Sequence, residues 1–200
     1  MVIRLLLLAF ASLVIVSCNG ENSEVDVAAF ADLMEMRQDK DAFFKSDSKS
    51  PLPIDERDGF EGLNYYDPDT AYVVEATFEP SASTDTFLMQ TTTDQVRNAI
   101  KAGTFIFTVN GQEGRLAAYQ FVGSEHQSYF VPFKDATNRS ETYKTGRYLD
   151  IEVGEDNAYL LDFNMAYNPY CAYNENYSCP LVPAENELPF PIKAGERSWR

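Results

Sequence analysis

The sequence predicts a mainly β protein of the α+β kind: an antiparallel sheet curled into a barrel or sandwich, with one N-terminal helix and a proline-rich C-terminal strap. Three observations predict it. Apolar residues recur at helical spacing in one stretch only, residues 25–45. From Ala71 onward the apolar period falls to two, over six to eight short runs separated by turn signals. Between two of those runs stands Asn110-Gly111, a dipeptide that supplies the positive φ angles of a type I′ hairpin turn.

Taken in chain order, "SEVD" (Ser23 to Asp26) fits a helix-capping box with Asp in place of the usual Glu, and Val27, Phe30, Leu33 and Met34 follow on one face, with Phe43 and Phe44 extending it. "SDSKSPLP" ends that helix, and "PIDERDGF" opens a further turn on Pro53. Residues 71–79 and 86–92 read as strands joined by the Ser/Thr-rich segment 81–85. In the Asn110-Gly111 hairpin the two-residue turn pairs Phe105 with Leu116 and Phe107 with Gly114, and sets Ile106 opposite Arg115 on the other face. Residues 128–133, 146–153 and 158–163 are further strands, the last two joined through "GEDN". The remainder, rich in proline, runs as an extended strap over the sheet. This is one β-rich domain, 25–200, behind a leader (1–17) and a polar tether (18–24).

The leader has a basic start, Met1 to Arg4, and an apolar run, Leu5 to Val16. As a helix that run spans only about 18 Å, too short for a bilayer core of about 30 Å, so it reads as the apolar region of a signal peptide. Its end, "LVIVSC", resembles the lipobox of bacterial lipoproteins, in which Cys18 receives the lipid and becomes the first residue of the mature chain. The competing reading is an ordinary secretory signal with a stray cysteine. Lipid on Cys18 makes the membrane the first expected partner and the cell envelope the expected location, facing out of the cytoplasm. Asn19 lacks the aspartate that goes with inner-membrane retention in enteric bacteria, which favours the outer membrane where two membranes exist.

Without residues 1–17 the chain keeps 15 basic residues against 31 acidic ones, a net charge near −16. That argues against nucleic acid and against electrostatic attraction to anionic lipid. Dinucleotide, Walker, nucleophile-elbow and H-E-x-x-H motifs are missing, and "SDSK" lacks the companion motifs of penicillin-recognising enzymes. The single histidine, His126, sits in a turn-like "GSEHQSY" without a nucleophile motif. One histidine and no close cysteine pair cannot complete a zinc site, and neither acidic run has EF-hand spacing. No metal and no cofactor are expected. Cys171 and Cys179, eight residues apart, read as a local disulfide for an oxidising compartment, contributing about 2.5 kcal/mol in the chain-entropy model.

Two stretches carry the candidate chemistry. "FKDATNRSETYKTGRYLD" (133–150) leads into a strand with Arg147 and Asp150, and "LLDFNMAYNPYCAYNEN" delivers Asp162 and Asn164 into a loop with Tyr167, Asn168, Tyr170 and Tyr173. Were the GEDN turn to pair these strands, Arg147, Asp150, Asp162 and Asn164 would belong to adjoining strands. An arginine, a carboxylate and amides framed by tyrosines suit a sugar or a small anion. The bland alternative is a buried Arg–Asp pair with amides tying loop backbone.

"DAFFKS…SPLP", "FEGLNYY", "PFKDATNRSETYKTGRYLD", "DFNMAYNPYCAYNENYSCPLVPAENELP" and "IKAGE", in this order from Asp41 to Glu196, resemble a bacterial family catalogued as domain of unknown function 1684. The resemblance implies a single domain, often secreted or lipid-anchored, and no particular reaction. Arg139 and Lys144 stand where the family pattern has glycine, which makes that loop less permissive of left-handed backbone. Three readings follow. The leading one is a lipid-anchored binder of a small polar ligand or envelope component, using Arg147, Asp162, Asn164, Asn168 and Tyr173. The second is a hydrolase or lyase with Asp150 and Asp162 as an acid–base pair. The third is a structural envelope lipoprotein whose polar cluster braces the fold.

Overall fold

A computed structural model describes residues 30–125, 128–154 and 157–200. The leader, the Cys18 anchor, the "SEVD" cap, the first residues of the expected helix, His126 and the middle of the GEDN turn lie outside the described residues. Among the described residues no helix is long and apolar enough to cross a membrane.

Helix α1 spans Ala31–Ser46. Its inward face reads Phe30, Leu33, Arg37, Lys40, Phe44, so two cations stand where apolar residues are usual, and the expected stripe residue Met34 is exposed. The cations are there because the helix docks on backbone and carboxylate oxygens: Arg37 donates to Tyr66 O at 3.1 Å and Asn164 O at 3.3 Å. A 3-10 turn, Ile54–Glu56, follows Pro53 as the proline predicted.

Among the described residues seven strands form one antiparallel sheet: β1 Val73–Pro80, β2 Thr86–Gln90, β3 Val96–Val109, β4 Gln112–Phe121, β5 Ser128–Phe133, β6 Arg147–Glu152 and β7 Ala158–Asp162. Their order is β6-β5-β4-β3-β1-β7, with β2 on β3, and the sheet curls into a half-barrel. The β3–β4 hairpin has the predicted register, Phe105 opposite Leu116 and Phe107 opposite Gly114. Asn110 and Gly111 supply the positive φ values, 49° and 76°. Gly114 lacks a side chain because the Phe107 ring occupies its place: a Cβ there would lie 2.4 Å from that ring. β3 starts seven residues before the expected Gly103, its first half pairing with β2, and a bulge at 101–103 interrupts its ladder with β4.

The expected β6–β7 hairpin does not form. β6 pairs with β5 and β7 with β1, at the two ends of the strand order. The edge of β6 that such a hairpin needs is taken by a later residue: Tyr148 and Tyr167 exchange backbone hydrogen bonds of 2.9 and 3.0 Å. The chain after β7 thus returns to the far end of the sheet and closes the curl.

The main core fills the concave face with Phe78, Phe105, Phe107, Leu116, Val131, Phe133, Leu149 and Leu161, and the strap plugs it with Leu188, Phe190 and Ile192. Between β4 and β5 the ladder is short, a single Tyr119–Phe130 pair. The strap supplies the missing bonds. Asn186, fully buried, accepts from Ala117 N–H at 2.7 Å and donates to Ala117 O at 2.8 Å and Pro132 O at 2.6 Å. Pro132 has no N–H to give, so an amide side chain splices the two strands.

Candidate functional site

Of the residues predicted to form a pocket, Arg147 is the most deeply placed. It opens β6 with its side chain wholly buried, ion-paired to Asp135 at 2.9 Å. The other N–H groups of its two terminal nitrogens go to strap carbonyls, those of Ile192 at 2.8 Å, Glu196 at 3.2 Å and Ala194, while the buried Nε has no hydrogen-bond partner among the described residues. Its partner is therefore Asp135, which also accepts from Thr137 and from Ile192 N–H. The loop holding Asp135 does use left-handed backbone. Arg139, exposed, adopts φ 74°, the conformation for which the glycine of the family pattern is suited.

Asp162 caps the 3-10 turn Phe163–Met165, one carboxylate oxygen accepting the backbone and side-chain N–H of Asn164, both at 2.8 Å. Asn164, buried, also clasps Asp69 by accepting its N–H at 3.0 Å and donating to its carbonyl at 2.9 Å. Asn168 and Tyr173 converge on Glu196, a residue the sequence offered only as the last letter of "IKAGE". Asn168 donates its backbone N–H at 3.0 Å and its amide at 3.2 Å, and the Tyr173 hydroxyl donates to the same carboxylate. Lys40 of α1 completes the set at 2.8 Å. Burial pushes the Glu196 carboxyl above its ordinary value, against the pull of Lys40 and Asn168. The five residues thus lie in polar clusters that tie the strap and α1 to the sheet, with Asn168 Oδ1 buried and without a hydrogen-bond partner among the described residues.

The two cysteines are neighbours without a bond between them. The backbone N–H of Cys171, in the 3-10 turn Tyr170–Ala172, donates to Sγ of Cys179 at 3.1 Å, and both are thiols. Cys179 is pinned in turn to the segment after β2, its N–H to Thr92 Oγ1 at 3.1 Å and its carbonyl to Thr92 N–H at 2.8 Å. The structure thus shows the two cysteines of the expected disulfide as a juxtaposed pair of thiols. Among the described residues, no three His, Cys, Asp or Glu side chains gather as a metal site would require.

Asp150 lies on an open cavity, together with Tyr167 and Tyr170 of the second candidate stretch. A groove of about 470 Å³ lies on the convex side, between the outward face of β4–β6, α1 and residues 167–180. Tyr148 and Asp150 share one face of β6, and Phe130 sits opposite Asp150 on β5. Their rings meet edge to face, Phe130 to Tyr148 at 4.7 Å and 73°, Tyr148 to Tyr167 at 5.8 Å and 89°. The Tyr167 hydroxyl donates to Asp150 at 2.6 Å. Burial, then the Asp150 charge, raises the Tyr167 pKa, and burial raises those of Tyr148 and Tyr170, so these phenols stay protonated donors. Two cations complete the wall. Lys40 lies 5.4 Å over the Tyr167 ring, and Arg97 of β3 lies 5.6 Å over Phe121, with one long bond of 3.4 Å to Ser178 O.

A larger hollow, about 880 Å³, crosses β1, β3 and β7, but its charged lining is Glu75 and Glu113 alone. The aromatic groove is the better candidate because rings, cations and a carboxylate converge there. Sequence reasoning missed Arg97, which stands in an alternating stretch with no motif around it.

The fold and the groove define a β-rich domain with a curled antiparallel sheet and an aromatic cleft on its convex side. The family described as "Protein of unknown function (DUF1684)" matches residues 58–197, and the chain belongs to it. The match begins after the "DAFFKS…SPLP" segment, so α1 lies ahead of it. The chain is also similar to a protein of Haloarcula marismortui, described as uncharacterized and solved by solution NMR. The two are 36% identical over 87% of this chain and 96% of that one, with a TM-score of 0.67. No curated protein matches.

Proposed function

We propose that this protein is a lipid-anchored, extracytoplasmic domain that binds a small polar ligand or envelope component, without chemistry, in the aromatic groove. One observation carries the reading. The groove is open, and its volume, about 470 Å³, falls in the range of small-molecule sites, about 300–1,000 Å³. Arg147, Asn164, Asn168 and Glu196 themselves are buried and line no part of the groove, and they serve the fold instead. An acid–base pair of Asp150 and Asp162 gains no support, because Asp162 caps a turn and does not line the groove.

The leader and Cys18 support the anchor, and the tether 18–24 separates lipid from domain. In that compartment the neighbouring thiols of Cys171 and Cys179 close into a disulfide. The test is twofold. Radiolabelled palmitate should enter the full chain in a bacterial host, and Cys18→Ala should abolish it; unchanged labelling refutes the anchor. Native mass spectrometry of the detergent-solubilised chain should show an adduct that Tyr167→Ala removes. A clean apo mass, together with no thermal shift across a panel of small polar metabolites, overturns the binding reading.

A further inference from the structure

We infer that Cys171 and Cys179 form a redox-active dithiol that exchanges with small disulfides, Cys171 attacking and Cys179 resolving. The activity does not depend on what the groove binds. Its first support is that the segment between the cysteines keeps its shape without a covalent bond. Ala172 N–H donates to Pro169 O at 2.9 Å and Tyr173 N–H to Tyr170 O at 3.0 Å, which sets the turn carrying Cys171. The Asn174 amide fastens the segment to Pro51 O at 3.1 Å, and the Tyr143 hydroxyl donates to Cys171 O at 3.2 Å. Thr92 holds Cys179 from the other side, through bonds of 3.1 and 2.8 Å. These anchors bring the two thiols together while both are free, so the fold accommodates the reduced pair and does not need the bridge as a staple. A disulfide whose reduced form is held in this way is the readily reversible kind.

The second support is an asymmetry between the two sulfurs. Cys171 is half-buried, whereas Cys179 is 5% exposed. The Cys179 thiol donates to the Cys171 sulfur and lowers its pKa to about 7, and the Tyr143 hydroxyl stands 3.9 Å from the same sulfur. That bond and burial raise the pKa of Cys179, which keeps its proton. The more accessible and more ionised sulfur is the one that attacks. Its half-buried place in a tight turn suits a small, flexible disulfide, and the net charge of −15 repels anionic ones. A small neutral disulfide is the class of substrate that remains.

The exchange runs in two displacements. The Cys171 thiolate attacks one sulfur of the small disulfide, whose S–S bond breaks, leaving a mixed disulfide on Cys171 and releasing one thiolate. That thiolate takes the proton of Cys179. The Cys179 sulfur then attacks Cys171 Sγ, forming the internal bridge and displacing the second thiolate, which takes a proton from water. Two electrons pass from the dithiol to the small disulfide. The Cys171 N–H, 3.1 Å from Cys179 Sγ, favours a thiolate there as the Cys179 proton leaves. In the reverse direction the same bond stabilises Cys179 as the leaving group when a reducing thiol attacks Cys171.

The test treats the reduced full chain, in detergent micelles near neutral pH, with bis(2-hydroxyethyl) disulfide. Mass spectrometry of the peptides holding Cys171 and Cys179 reads the products, which keeps Cys18 out of the result. The wild-type pair should lose two hydrogens without a lasting adduct, and millimolar glutathione should restore both thiols. Cys179→Ser should accumulate one mixed disulfide, on Cys171, and Cys171→Ser should react about 100-fold more slowly than the wild type, as expected of a buried, protonated thiol. Melting temperatures verify that the variants fold, and the wild-type arm decides even where one does not. Thiols that the disulfide leaves unreacted overturn the inference. So does a mixed disulfide that forms first on Cys179, or an internal bridge that glutathione cannot reduce, which would make the pair a structural staple.

Discussion

Lys40 of the helix and Glu196 of the strap meet at 2.8 Å, the glutamate side chain 1% exposed and the lysine side chain, on the groove wall, 26% exposed. The contact spans 156 residues of sequence and joins the two elements that enclose the sheet. It also places a fixed cation behind the aromatic corner. The same carboxylate receives Asn168 and Tyr173, so the helix, the strap and the post-β7 loop share one buried charge.

That charge makes stability depend on pH. The folded Glu196 pKa lies above its ordinary 4.5, so the stability it contributes is full below pH 4.5 and is lost as pH rises through the folded value. Lys40 is the strongest opposing influence, so Lys40→Met raises the folded pKa further. The variant should lose about 3 kcal/mol near pH 7, as expected when one partner of a buried pair is removed. The deficit should shrink below pH 4.5, where the carboxyl is neutral in both proteins. Melting temperatures from pH 3 to 8 check this, and a deficit independent of pH would contradict it.

Arg147→Met strips Asp135 of its counter-ion inside the core and frees three strap carbonyls. Urea unfolding should show a loss of about 3–5 kcal/mol. Adding Asp135→Leu should recover part of that loss, because it removes the uncompensated buried carboxylate. Additive losses in the double variant would mean that the ion pair is not what the arginine supplies.

Gly195 and Gly111 separate backbone from packing. Both have left-handed φ, 74° and 76°, but a Cβ at Gly195 meets the carbonyls of Ala166 and Phe163 at 2.6 and 2.7 Å, whereas one at Gly111 meets nothing within 4 Å. Gly111→Ala should cost about 1 kcal/mol for the backbone alone. Gly195→Ala should cost roughly 1–3 kcal/mol more for the clash, read by chemical denaturation. Equal costs would remove the packing argument for the strap.

The paired cysteines give a redox and a pH signature. A hydrogen bond from the Cys179 thiol lowers the Cys171 pKa from 9.0 to about 7. In the reduced protein, iodoacetamide should therefore modify Cys171 with a midpoint near pH 7, shifting upward in Cys179→Ala. On oxidation the intact mass should fall by two hydrogens and stability should rise by about 2.5 kcal/mol. Thiols that stay free under air and copper would show that the segment cannot close.

Arg139 departs from the family pattern yet keeps its backbone conformation. The glycine expected there signals a left-handed position, and the arginine takes that conformation with its side chain in solvent. The helix shows the reverse. Arg37 and Lys40 broke the apolar stripe, and only their partners at Tyr66, Asn164 and Glu196 explain why they face inward.

By itself the sequence determined what is settled between near neighbours. The type I′ turn at Asn110-Gly111 set the register of β3 and β4, alternation located the strands, and prolines marked the strap, because turn chemistry and side-chain period act over a few residues. The tertiary structure decided which strand edges and which charges met. Tyr167 took the edge of β6 that the GEDN hairpin needed, Asp135 took Arg147, and Glu196 gathered Asn168, Tyr173 and Lys40. Those choices depend on which backbone groups are still unpaired when the sheet curls, a condition spread over the whole chain and written in no local motif.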